Sequence, residues 1–564
     1  MRHDPLIRDA LVVDGSGGSP VHGDVAVSAG RIVAVGRIDG AAHRVVDAGG
    51  LALAPGIVDL HTHYDAQLTW DPTCSPSPAL GVTTAVIGNC GFGIAPCPAP
   101  LRETVLRNLS VVEGMDLDAL LAGVRWDFES FAQYMSRLRA IGPSLNVAVL
   151  AGHSVIRTAV MGADASTRAQ ATPAERAAMR QHVRDAMDAG AIGFASSFSP
   201  NHSGYGGLPM PSTIAPDDEL AELVGVLGEV GRGVFMSATG PRATPEYMER
   251  LARATGRPMF ISTVLSMYSE AAPDRGLALY ERCAQAIDRG HEVYIQSNCQ
   301  PLSFDFDLVS PYVLYSHDAF DRVKAANGDR QAVAAAYRDP AMRTRFRQNL
   351  AQPAEGILFY GDWRSIEVSP ARAGHAHLAQ QSVAEAAGAA GADPLDWMLD
   401  FALAEDLQTR FVGKFYNNRD DGVAPLLRHR AGVIALSDAG AHLSYLCDAG
   451  FGLHLLGHWV RDTGTFPLSE AVRRLTSHPA DLYRIPARGR IVPGAWADLL
   501  LFDPARVGIG PLQAAFDLPG GRRRMIRNGL GVHGVWVNGT MTFDGRDYVG
   551  RTPGPGHVLD RFER

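Results

Sequence analysis

Apolar residues along this chain follow two alternating patterns. Between Pro55 and Ser437, short runs of Val, Ile, Leu and Phe alternate with longer stretches whose apolar positions recur at helical spacing. The short runs suit strands buried on both faces, and the longer stretches suit helices with one buried stripe. Strand following helix in this order predicts βα units around a parallel sheet. Eight strands can be placed: Ile57 to His63, Thr83 to Cys90, Asn146 to Gly152, Ile192 to Ser196, Gly233 to Ala238, Pro258 to Val264, Glu292 to Ser297 and Gly432 to Ser437. The helices carry their own punctuation. Thr172-Pro173-Ala174-Glu175 is a capping-box pattern with proline in the first turn; Met179, Val183 and Met187 share the buried face, and Gly190 stops the helix. Leu220, Leu223, Val224, Leu227 and Val230 form a second stripe, expected to pack on the barrel as part of an outer ring.

The chain ends read differently. Ala10 to Val13, Asp24 to Val27, Arg31 to Val35 and Arg44 to Asp47 are short β-branched runs separated by glycine, and 497–502 and 534–539 form a matching set at the far end. These ends are expected to pair as one β-sandwich. The predicted layout is therefore residues 1–54 and 485–564 as the two parts of the sandwich, with a βα barrel over 55–484. Two connections, 91–145 and 298–431, exceed the few residues that ordinarily flank a barrel helix, and are expected to cap the barrel mouth. Their aromatics (Trp126, Phe128, Phe131, Phe304, Phe306, Tyr312, Phe359, Tyr360, Trp363, Trp397, Phe415 and Tyr416) suit either an apolar substrate pocket or local cores.

Composition narrows the class. The chain has 564 residues, 46% hydrophobic and 20% charged, which suits a soluble globular protein with room for a barrel of about 250 residues and smaller units beside it. No run of about 18 apolar residues suggests a membrane span. The net charge is −8, and the basic residues are scattered apart from Arg522-Arg523-Arg524, so no positive face for nucleic acid is expected. Met1 to Pro5 leads into Ala10 to Val13 without the apolar core of a signal peptide, which gives the cytoplasm as the expected compartment. Six scattered cysteines, Cys74, Cys90, Cys97, Cys283, Cys299 and Cys447, are read as thiols.

Candidate chemistry gathers at the strand ends, where βα barrels carry their active sites. In Pro55-Gly56-Ile57-Val58-Asp59-Leu60-His61-Thr62-His63, alternation along a strand sends His61 and His63 out on one face, where they could hold a metal. Strand two ends in Asn89-Cys90-Gly91, strand three in Gly152-His153-Ser154 and strand eight in Ser437-Asp438. Each alone has an ordinary structural explanation; four on one rim are far less expected by chance.

Val58-Asp59-Leu60-His61-Thr62-His63-Tyr64-Asp65, with Gly81-Val82-Thr83-Thr84 and Gly88-Asn89-Cys90-Gly91, resembles the amidohydrolase superfamily and, within it, the N-acyl-D-amino-acid deacylase group. The resemblance resumes at Gly152 to Arg157, Ser437-Asp438 and Gly489 to Asp498. It implies a distorted (β/α)8 TIM-type barrel with a flanking β-sandwich, and a zinc-activated water attacking an amide carbonyl. By the match, His61, His63 and Cys90 would be metal ligands and Asp438 the general base. Two features depart from the pattern. Strands five and six contain none of the histidines that such deacylases use as ligands, and strand four ends in Ala195-Ser196-Ser197 without a lysine. His153 or His202 could replace a missing ligand or could bind substrate, and Arg157 and Arg242 could pair a substrate carboxylate. One zinc ion, or another divalent metal, is the expected cofactor. The expected activity is metal-dependent hydrolysis of a C–N bond in a small molecule, an N-acyl-D-amino acid or a cyclic amide. Two alternatives stay open: a binding or scaffold protein on the same fold, and a cyclase using the same site. Retention of Asp438 favours an enzyme. The expected partner is a small-molecule amide, with no nucleic acid and no membrane, and a homo-oligomer is left open.

Overall fold

The flanking strand Ala52–Pro55 runs through Gly56 straight into Ile57–Asp59 (β1), the first strand of the barrel. A Cβ at Gly56 would lie 2.1 Å from the Thr83 side chain, so the passage admits only glycine. The computed structural model describes residues 3–263, 267–268, 272–352, 357–369, 373–444, 448–550 and 553–563; Val264 and Cys447 lie outside them.

Seven further strands follow: Val82–Ile87 (β2), Asn146–Gly152 (β3), Gly193–Ser197 (β4), Val234–Ala238 (β5), Met259–Ser262 (β6), Val293–Ser297 (β7) and Gly432–Ile434 (β8). Each pairs in parallel with its neighbours in chain order. Strands β2 to β6 are buried at every residue, as the unbroken apolar runs require. Between β8 and β1 the ladder gives way to single hydrogen bonds, Leu60 N to Ala435 O at 2.9 Å and Asp438 N to His61 O at 3.0 Å, which close a distorted TIM-type barrel. β1 and β8 are therefore shorter than their sequence runs, because beyond Asp59 and Ile434 the backbone follows this irregular seam.

The helices form where their caps place them. Pro173–Asp188 starts at Thr172 with both capping-box bonds, 3.3 Å from Glu175 N to Thr172 Oγ1 and 2.7 Å back, and it buries Met179, Val183 and Met187. Asp217–Val230 buries Leu220, Leu223, Val224 and Leu227, and also Glu219. No helix among the described residues is long and apolar enough to cross a membrane.

Strands from both chain ends share one hydrogen-bonded sheet, in the order Thr540–Phe543, Val532–Val537, Leu499–Phe502, Ala52–Pro55, Leu6–Val12, Val21–Ser28 and Arg31–Gly36. Leu499–Phe502 and Ala52–Pro55 pair antiparallel where the two ends meet. Ile7, Val25, Val27, Ile32, Leu53, Leu499, Leu501 and Trp536 fill the core against this sheet. In the basic run, Arg524 is buried against Asp517 and Arg522 pairs with Asp118. Cys74, Cys90, Cys97, Cys283 and Cys299 are all buried free thiols.

Residues 265–277 and 300–425 group as a second body. In it, Leu302–Asp307, Arg410–Phe415 and Ile366–Val368 make an antiparallel sheet. Phe304, Phe306, Phe359 and Phe415 are buried there ring on ring, with centroids 5.9 Å apart for Phe304 and Phe415 and 4.8 Å for Phe359 and Trp363. The cavity bordered by Tyr268, Phe359, Tyr360, Phe415 and Tyr416 holds about 30 Å³, room for a single water. Phe304, Phe306, Phe359 and Phe415 belong to the core of the second body. In the 91–145 connection Phe128 and Phe131 are likewise buried, with Phe128 5.0 Å from Tyr134.

Candidate active site

Past β1, main-chain hydrogen bonds to both neighbouring segments hold the His-Thr-His segment: Thr62 N donates to Val86 O at 3.1 Å and His63 N to Ala439 O at 2.7 Å. The two imidazoles emerge together with centroids 5.3 Å apart. Cys90 follows β2 with φ +55°, and Asp438 follows β8 with φ +58°. Left-handed backbone is uncommon for residues other than glycine, and it costs on the order of 1 kcal/mol at a residue such as cysteine. Here it turns both side chains onto the histidines. Cys90 Sγ lies 3.5 Å from His61 Nε2, and Asp438 Oδ1 lies 3.0 Å from His63 Nε2 and 3.5 Å from His61 Nε2. Gly440 makes room for this: a Cβ there would stand 2.7 Å from the His63 carbonyl.

Three further groups complete the surroundings, none of them among the site residues expected from sequence. Glu113, just beyond helix Arg102–Val112 in the 91–145 connection, brings Oε1 to 3.2 Å from His63 Nδ1. Gln296 near the end of β7 places Oε1 2.9 Å from His61 Nδ1, and its Nε2 donates to Tyr483 Oη at 2.7 Å. His442 Nε2 is 3.6 Å from Asp438 Oδ2.

Burial and charge set the protonation states. Burial pushes the His61 imidazolium down to about 4, so this ring is neutral at pH 7. Burial also works against a charged His63, but Glu113 and Asp438 outweigh it and raise its pKa well above the ordinary value. Burial alone would raise Asp438; its bond to His63 and the nearby charge of His63, His442 and His61 hold it below the usual carboxylate range instead. Burial lifts Cys90 to about 11 and Glu113 to about 7. A thiol this buried ionises only with a strong positive partner, which a divalent ion supplies.

The remaining candidates are placed as follows. His153 is the first residue of helix His153–Met161, and both ring nitrogens are engaged, Nδ1 with Ser196 Oγ at 2.9 Å and Nε2 with Glu219 Oε1 at 3.0 Å. Arg157, fully buried, sets Nε 3.1 Å from the same Glu219 oxygen and donates to Pro211 O at 2.9 Å and Ala169 O at 2.6 Å. In contrast to the expectation that they meet substrate or metal, the two residues meet each other around Glu219 in this structure. Arg242 donates to Ala215 O at 2.6 Å and Asp217 Oδ1 at 2.9 Å, and its guanidinium lies 4.5 Å from the Phe198 ring. That is a structural ion pair on the helix Asp217–Val230. His202, on the loop after β4, is fixed through Nδ1 to Ser197 Oγ at 2.7 Å. Burial, then the charge of His442, takes its pKa to about 3; His63 and His61 add to this, while Asp438 opposes it.

The donor set fits a divalent cation. His61, His63 and Cys90 are buried with ligand atoms all within 4.8 Å of one another, and the Asp438 carboxylate borders both imidazoles. Two imidazoles, a thiolate and a carboxylate are the nitrogen, sulfur and oxygen donors that zinc accepts. β5 and β6 contribute no imidazole, and at the end of β6 Thr263 Oγ1 donates to Gln296 O at 3.1 Å.

A model of the amidohydrolase family matches residues 44–543. The chain belongs to the amidohydrolase family. This amidohydrolase is 28% identical over 562 residues to D-aminoacylase of Alcaligenes xylosoxydans xylosoxydans, covering 98% of this chain and 96% of the relative. It matches the structure of N-acyl-D-glutamate deacylase from Bordetella bronchiseptica, complexed with zinc and a phosphonate mimic of the tetrahedral intermediate. There the TM-score is 0.65 with 25% identity over the whole of both chains. A structure of D-aminoacylase described by its binuclear metal centre, with one-metal activation and second-metal attenuation, matches with TM-score 0.64 and 26% identity over 99% of this chain and 100% of that one. The amidohydrolase is accordingly a hydrolase of C–N bonds other than peptide bonds.

Proposed function

We propose that this amidohydrolase deacylates N-acyl-D-amino acids with a single zinc ion, held by His61, His63 and Cys90. The observation that carries the reading is the clustering of those three donors, with Asp438 Oδ1 beside both imidazoles. Bound there, zinc supplies Lewis acidity that polarises the amide carbonyl and acidifies the attacking water. Asp438, kept ionised by His63 and His61, takes the water proton and delivers it to the leaving nitrogen. His202, neutral and fixed by Ser197, supplies a polar group to the substrate beside the cluster. A single ion agrees with the ligands present, since no imidazole on β5 or β6 is available for a second.

The test is product release from paired enantiomers. Zinc-loaded protein is expected to free acetate from N-acetyl-D-amino acids and none from the L forms, across apolar and acidic side chains. Equal turnover of the L forms, or turnover confined to a cyclic amide such as a hydantoin, would refute the assignment.

A further inference from the structure

The metal-facing histidines have different partners behind them. His61 Nε2 faces Cys90 and Asp438, and its other nitrogen meets the Gln296 amide oxygen at 2.9 Å. His63 Nε2 faces Asp438, and its other nitrogen lies 3.2 Å from the Glu113 carboxylate, an ion-pair contact without the alignment of a hydrogen bond. All four side chains are essentially excluded from water. An imidazole that offers one nitrogen to a cation must keep its proton on the other, and a fixed acceptor behind the ring selects that tautomer and aims the lone pair. Resting on the metal reading above, we infer that Glu113 and Gln296 are positioning residues: Gln296 fixes His61 through a hydrogen bond at Nδ1, and the Glu113 carboxylate orients His63 by its charge beside Nδ1, so that both Nε2 atoms are directed at the ion.

The anchoring of the two acceptors supports this role. The Gln296 amide is gripped at its other end by Tyr483 Oη, which accepts from Nε2 at 2.7 Å and leaves the carbonyl oxygen for His61. Tyr483 is itself fully buried. Glu113 is tied through its main chain: its N–H donates to Leu109 O at 3.0 Å, and its carbonyl accepts from the His442 N–H. That second bond joins the 91–145 connection to the loop carrying Asp438, so the residue behind His63 also braces the segment of the proton carrier. The long connection after β2 thereby has a task that its sequence does not announce. The two acceptors differ in charge. A carboxylate behind His63 makes that ring the more basic ligand, while a neutral amide behind His61 leaves its ring less so.

The experiment uses the full chain stripped of metal and titrated with cobalt and with zinc against a competing chelator, reading affinity and the visible cobalt spectrum. Thermal melting of each metal-free variant reports folding. Glu113→Ala and Gln296→Leu are expected to bind about 10- to 100-fold more weakly. Glu113→Gln and Gln296→Glu keep an acceptor at the same place, and are expected to recover most of that loss with a wild-type cobalt spectrum. Unchanged affinity in Glu113→Ala and Gln296→Leu would overturn the inference. So would Glu113→Gln that binds as weakly as Glu113→Ala with an altered spectrum, because Glu113 would then be a ligand. A wild-type chain that binds neither ion would defeat the metal reading itself, and the positioning roles with it.

Discussion

Replacing Asp438 with Asn is expected to lower kcat by about 10²- to 10⁴-fold while zinc content and melting temperature stay at wild-type values. The substitution isolates one function. At φ +58° asparagine is among the few residues that fit without added strain, so the backbone after β8 should not move. The amide keeps the size and shape of the carboxylate, which lies 3.0 Å from His63 Nε2 in the parent. What disappears is a group that can carry a proton from water to the leaving nitrogen. Steady-state kinetics on any amide the parent cleaves, alongside metal analysis, decides the matter. A variant with near wild-type kcat would remove Asp438 from the mechanism.

Arg157→Leu is expected to act on stability and leave chemistry alone. It strips the cation from Glu219, a carboxylate with no exposure that shares one oxygen with Arg157 at 3.1 Å and His153 at 3.0 Å. Breaking a buried ion pair from one side costs about 3–5 kcal/mol, because the remaining charge is unsolvated and keeps only the His153 contact. An unfolding free energy lowered by that amount, with KM per folded molecule unchanged, is the expected result. An unchanged unfolding free energy with a raised KM would return Arg157 to the substrate.

These contrasts mark where the sequence was legible. The eight barrel strands could be read because strands buried on both faces leave apolar runs that few other structures explain, and the capping box at Thr172 marked a helix start by chemistry local to four residues. His61 and His63 were legible for a similar reason: the alternation of a strand is short-range. Whether a strand-end side chain faces the barrel axis is not. His153 follows β3 as Asp438 follows β8, yet as the first residue of a helix it turns outward to Ser196 and Glu219. Glu113 escaped notice because only the path of a long connection brings Val111-Val112-Glu113-Gly114-Met115 to His63. Gln296 escaped because a neutral amide at the end of a strand carries no signal until its partner is known. The aromatics of 298–431 left both readings open, and packing within their own body resolved them into a core.

Metal bound per chain is the decisive quantity. Elemental analysis of zinc-loaded protein, freed of loosely held ions and repeated on the His61→Ala/His63→Ala double variant, measures it most directly. One equivalent is expected in the wild type and none in the double variant. Two equivalents in the wild type, or one surviving the double substitution, would show that other residues hold the metal.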